Sequence, residues 1–94
     1  MKALTWRGAS WMTVDEVPDP RPQSGEALVH CEATGICGSE VEGYLGMMSN
    51  RVPPLVMGHE FAGTVIEVGD SVDPSWLGKR VAVNPIVGCG HCTY

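Results

Sequence analysis

Glu26-Ala27-Leu28-Val29-His30-Cys31-Glu32-Ala33-Thr34 reads as a β-strand, and Gly35-Ile36-Cys37-Gly38 ends it. The two-residue period places Ala27, Val29, Cys31 and Ala33 on one face and Leu28, His30, Glu32 and Thr34 on the other. The apolar face predicts burial for Cys31. The glycines at 35 and 38 permit a tight turn, which sets Cys37 directly beyond the strand.

Working outward, Lys2–Trp6 and Trp11–Val17 predict two strands joined by a turn at Gly8-Ala9-Ser10. Pro18, Pro20 and Pro22 lack ladder donors and predict an extended surface connection. Ser39 is a candidate N-cap for a short helix to about Leu45, with Glu40 and Glu42 in its first turn. A loop is expected over residues 46–54. Phe61–Val68 predicts a strand, with Gly63 as a bulge or a point of close approach. Lys79–Val83 predicts another, stopped by Asn84-Pro85. Six or so short strands with frequent turn signals suggest a mainly β fold with minor α content, a small β-barrel.

Composition narrows the function classes. With 44% hydrophobic and 18% charged residues, the chain is globular rather than disordered. Twelve Gly and seven Pro in 94 residues favour turns and short strands over long helices. A formal net charge of −5, with Lys79-Arg80 the one adjacent basic pair, argues against nucleic acid as a partner. No apolar run approaches the ~20 residues of a membrane span. Lys2 is followed by no apolar signal-peptide core, so the expected compartment is the cytoplasm. Four cysteines, Cys31, Cys37, Cys89 and Cys92, are too sparse for a secreted disulfide scaffold.

Two constellations carry candidate chemistry. Cys37 follows one strand, and His59-Glu60 follows Gly58 and precedes another. The ends of two strands of a small barrel can meet, although 22 positions separate Cys37 from His59. Thiolate and imidazole are ligands that Zn²⁺ prefers, and a catalytic zinc keeps three protein ligands and an open position. The residues alone leave a plainer alternative open: a small buried Cys and a surface His–Glu pair. In the second constellation, Gly88-Cys89-Gly90-His91-Cys92, the Cys-x-x-Cys spacing lets both sulfurs reach one ion. A redox dithiol or a disulfide is the alternative, but Pro85 and the glycines do not suit the helix that a thioredoxin-like motif opens.

Gly35-Ile36-Cys37-Gly38-Ser39-Glu40 resembles the Gly-Ile-Cys-Gly-Ser/Thr-Asp segment of zinc-containing medium-chain alcohol and polyol dehydrogenases. Gly58-His59-Glu60-Phe61-Ala62-Gly63 resembles their Gly-His-Glu-x-x-Gly signature. Thr64–Gly69 and Gly78–Val83 continue the likeness, which runs from the first strand to Tyr94. The resemblance implies the GroES-like small β-barrel of that family's catalytic domain, of which residues 1–94 are the N-terminal part. It implies Cys37 and His59 as catalytic zinc ligands, and Glu60 as a carboxylate bound to zinc directly or through water. Ser39 stands where the family places the hydroxyl that takes the alcohol proton. Cys89 and Cys92 would be half of a structural zinc site, since the family's pattern adds two further cysteines.

The activity so implied is hydride transfer between an alcohol or polyol, or the matching ketone, and NAD or NADP. Zinc serves as a Lewis acid that lowers the pKa of a bound alcohol. No strand–glycine loop–helix fingerprint lies within residues 1–94, so the nucleotide domain is expected outside this chain and the fragment is not expected to act alone. A homo-oligomeric parent is expected. Two other classes compete: a non-enzymatic GroES-like co-chaperonin or structural zinc module, and a zinc-free reductase of the same superfamily. Neither would need Cys37 together with Gly58-His59-Glu60. Met47-Met48 could line a substrate cleft or simply fill space. Trp6, Trp11 and Trp76 are expected as core or edge aromatics.

Overall fold

The computed structural model describes residues 1–86, so Cys89, His91 and Cys92 lie outside the described residues. The elements run β1 (Lys2–Gly8), β2 (Trp11–Glu16), β3 (Ala27–Thr34), α1 (Gly38–Tyr44), β4 (Leu55–Val56), β5 (Phe61–Val68), a 3-10 turn (Pro74–Trp76) and β6 (Arg80–Ala82). They form two antiparallel sheets of three strands, ordered β2-β1-β4 and β3-β5-β6. The expected barrel is thus not closed: among the described residues no strand of one sheet pairs with a strand of the other.

The β1–β2 hairpin sets Leu4 opposite Val14 and Trp6 opposite Met12. Its loop is Ala9-Ser10, with Ser10 at φ 56. The tip is tied to α1, because Ser10 N–H donates to the Tyr44 carbonyl at 2.6 Å and the Tyr44 hydroxyl donates to the Ser10 carbonyl at 3.2 Å. The short strand β4 pairs with β1 at Thr5–Val56 and Trp6–Leu55, a pairing that the loop expected before it does not announce.

In the second sheet, Gly63 answers the expectation of close approach. A Cβ there would overlap the His30 carbonyl oxygen. The register steps from Cys31–Gly63 to Ala33–Ala62, leaving Glu32 as an extra residue, and from Leu28–Glu67 to Val29–Val65. These bulges break the two-residue alternation. Cys31 precedes the bulge at Glu32 and lies on an edge strand that is mostly exposed, so it is exposed rather than buried, a correction to its expected place in the core; its thiol donates to the Ala33 carbonyl at 3.5 Å.

Among the described residues the buried apolar core is small: Ala3, Trp6 and Val65. Trp6 is the core aromatic, whereas Trp11 and Trp76 are exposed, the latter with Lys79 Nζ 5.0 Å above its ring. The open architecture also leaves Leu4 and Val14 of the β1–β2 pair exposed. No helix among the described residues is long and apolar enough to cross a membrane.

Candidate metal centre

The antiparallel register of β3 and β5 closes the sequence gap between Cys37 and His59. Thr34 pairs with Phe61, and the ladder continues past both strand ends: Gly35 N–H donates to the Glu60 carbonyl at 2.7 Å, and the Thr34 hydroxyl donates to the same oxygen at 3.2 Å. The chain therefore leaves β3 and enters β5 at one corner. His59 reaches that corner from the other sheet, since β4 ends only three residues before it. Gly58 makes the passage at φ 129, a conformation that side chains oppose.

Cys37 is the N-cap of α1, not Ser39 as its cap chemistry predicts. Extended backbone at Cys37 (φ −86, ψ 155) starts the helix two residues early. Glu40 consequently falls at N3, where its Oε2 accepts from Cys37 N–H at 3.2 Å, one half of a capping box. The Ser39 hydroxyl donates to the same Oε2 at 3.2 Å.

Cys37, Glu40 and His59 form one group. Each offers a ligand atom, and these atoms lie within 4.8 Å of one another, so together they could hold a metal ion. All three are partly buried; the Glu40 side chain is 13% exposed and that of His59 33%. Glu40 is the member that motif reasoning passed over. The available signal was an acid three residues after Cys37, at the N3 position of a helix beginning there. Glu60 lies outside this group. It is exposed, and its carboxylate stands against Gly35, where an added Cβ would come within 2.9 Å of Oε2.

His59 Nδ1 lies 2.9 Å from Glu40 Oε1. That oxygen is buried and has no aligned hydrogen bond, so the pair is a close approach rather than a finished one. A ring fixed through Nε2 would turn its Nδ1–H onto the carboxylate, the arrangement usual for ligating histidines. Burial of Glu40 favours its neutral form. Hydrogen bonds from its own backbone N–H and from Ser39, the His59 charge and the Cys37 N–H outweigh that, and its carboxyl is held below the ordinary value of 4.5. An ionised carboxylate beside an imidazole and a thiol suits a divalent cation, so the donor set fits zinc.

Beside the group lies a cleft of about 380 Å³ lined by Leu4, Met12, Ile36, Val41, Tyr44 and Met57, with Glu40 on its wall. Its methionines are Met12 and Met57; Met47 and Met48 do not line it.

Comparison with known proteins places this two-sheet β domain and its Cys–Glu–His corner in a family. The alcohol dehydrogenase GroES-like domain family matches residues 23–94, and the chain belongs to it. L-threonine 3-dehydrogenase of Xanthomonas campestris is 42% identical over 98 residues, covering 98% of this chain and 28% of that protein. The alcohol dehydrogenase rspB of E. coli CFT073, solved with NADH, superposes with a TM-score of 0.87 at 39% identity, covering 99% of this chain and 27% of that one. Zinc-dependent alcohol dehydrogenase 2 of Streptococcus pneumonia superposes at 0.86 with 30% identity, over 100% of this chain and 27% of that one. The chain thus spans little more than a quarter of the length of the relatives it matches. They are dehydrogenases, which places the chain in an oxidoreductase family and lends no support to the co-chaperonin alternative.

Proposed function

We propose that residues 1–94 supply part of the catalytic domain of a zinc-dependent oxidoreductase that moves a hydride between an alcohol or polyol and NAD or NADP. The convergence of Cys37, Glu40 and His59 at one corner carries this reading. Cys37 Sγ and His59 would hold the zinc, and Glu60 stands next in the chain as a further carboxylate. When bound, the ion supplies a Lewis acid for the substrate oxygen. The protein's own residues do the rest. Glu40 orients His59 and balances charge behind it. Ser39, one residue before Glu40 and hydrogen-bonded to it, offers a hydroxyl through which a substrate proton can leave. The apolar wall of the cleft limits water at the corner.

The nucleotide belongs to a domain outside residues 1–94, and Cys89 with Cys92 is assigned to a structural zinc site. The small-molecule substrate is an alcohol or its ketone. A cytoplasmic homo-oligomer is the expected setting. The test is zinc content per chain in protein containing residues 1–94, compared with Cys37→Ala and His59→Ala. Each variant should lose one equivalent and keep any zinc held at Cys89 and Cys92. Unchanged metal in both variants would remove the assignment.

A further inference from the structure

Arg51 is the one arginine that ends on no carboxylate among the described residues. Arg7 pairs with Asp15, Arg21 with Glu67 and Arg80 with Glu32. The Arg51 guanidinium instead meets the Met57 thioether, Nη1 to Sδ 3.0 Å, a weak acceptor for a cation. Yet Arg51 is half-buried and its stem is fixed. A Cβ added at Gly43 would come within 3.0 Å of its Cδ and 3.4 Å of its Nε, so the side chain lies flat against α1 where the helix has no side chain of its own. Gly43 is the helix's buried residue. Four residues before it on the same face is Ser39, and three before it is Glu40. One helical turn, about 5.4 Å of rise, therefore separates the contact of Arg51 with α1 from the hydroxyl at the metal corner. Met57, the other contact, is two residues before His59.

We infer that Arg51 is a specificity-determining residue that receives an anionic group, carboxylate or phosphate, of the alcohol substrate. This inference rests on the function proposed above and narrows it to hydroxy acids or phosphorylated polyols. A planar fork of donors suits both oxyanions. The packed stem means the guanidinium is already ordered before the substrate arrives, which reduces the entropy lost on binding.

The experiment uses protein containing residues 1–94 within its full chain and compares wild type with Arg51→Gln and Arg51→Lys. Inorganic phosphate and acetate are titrated separately at constant ionic strength by calorimetry, which needs no turnover. Arg51→Gln should weaken binding of at least one of them about tenfold or more, the range of a charge-assisted hydrogen bond, with Arg51→Lys partly restoring it. Whichever ion responds identifies the source of the oxyanion. In turnover, Arg51→Gln should raise KM for the matching anionic alcohol and leave KM for a neutral diol unchanged. Equal anion binding by wild type and Arg51→Gln, or no anion binding by wild type, would overturn the inference; an acidic side chain from elsewhere in the protein would then be the partner of Arg51. Loss of turnover on every alcohol with anion binding intact would count against the proposed activity instead.

Discussion

Glu40 Oε1 faces His59 Nδ1 across 2.9 Å, with the other carboxylate oxygen holding Cys37 N–H and the Ser39 hydroxyl. One side chain thereby joins the helix cap, the imidazole and the proton-relay candidate. Removing its charge should loosen all three. Glu40→Gln keeps the shape and one acceptor, and should weaken zinc binding about 10- to 100-fold, the usual cost of losing an outer carboxylate behind a ligating histidine. Competition with a chromogenic chelator measures this. Zinc affinity equal to wild type would show that His59 is held by something else.

Gly63 sits where β3 and β5 approach closely, at the register step around Glu32. Its missing Cβ leaves room for the His30 carbonyl, and backbone cannot swing aside as a flexible side chain can. Gly63→Ala should therefore cost about 2 kcal/mol or more, at the upper part of the overpacking range. Urea unfolding should show a lower midpoint with the slope kept. Because the sheet positions both strand ends at the metal corner, zinc affinity should fall as well.

Much of this architecture was legible in the sequence. Phe61–Val68 was set by its own apolar pattern and flanking glycines, and two strands ending beside Cys37 and His59 allowed the two to meet without requiring it. What escaped the local pattern depends on distant partners. β4 is two residues long and exists because Thr5 and Trp6 offer it a ladder. Cys31 stands exposed because β3 is an edge strand of an open sheet, in which only Leu28 and Val29 are even half-buried. Glu40 joined the site because Cys37, a poor cap by composition, nevertheless begins the helix. In each case the local preference was overruled by geometry fixed elsewhere in the chain.

Asp15 provides a pH signature well away from the metal corner. Its carboxylate accepts from Arg7 at 2.6 Å and from the Thr13 hydroxyl at 2.9 Å. Arg7, then Thr13, hold its carboxyl below the ordinary 3.8 against a smaller opposing effect of burial. The folded value is the lower one, so the stabilisation is complete above 3.8 and fades as pH falls through the folded value. Asp15→Asn should be less stable than wild type by a constant margin from neutral pH to roughly 5, with the margin shrinking below about pH 4. Chemical unfolding at a series of pH values would reveal it. A margin that did not narrow in acid would assign the stabilisation to shape rather than charge.

Trp6 tests how thin the core is. It is 4% exposed, and among the described residues only Ala3 and Val65 are apolar side chains buried as it is. Its indole Nε1 is also buried without an acceptor among the described residues. Trp6→Ala should cost about 3–5 kcal/mol, comparable to the whole stability of many small domains, and should unfold the chain. Trp6→Phe is the informative variant. It removes part of the ring but also an unsatisfied donor whose burial costs about 1–3 kcal/mol. The two effects oppose, so Trp6→Phe should stay folded and lose well under half of what Trp6→Ala loses. A loss from Trp6→Phe as large as from Trp6→Ala would mean that Nε1–H has a hydrogen-bond partner in the intact protein.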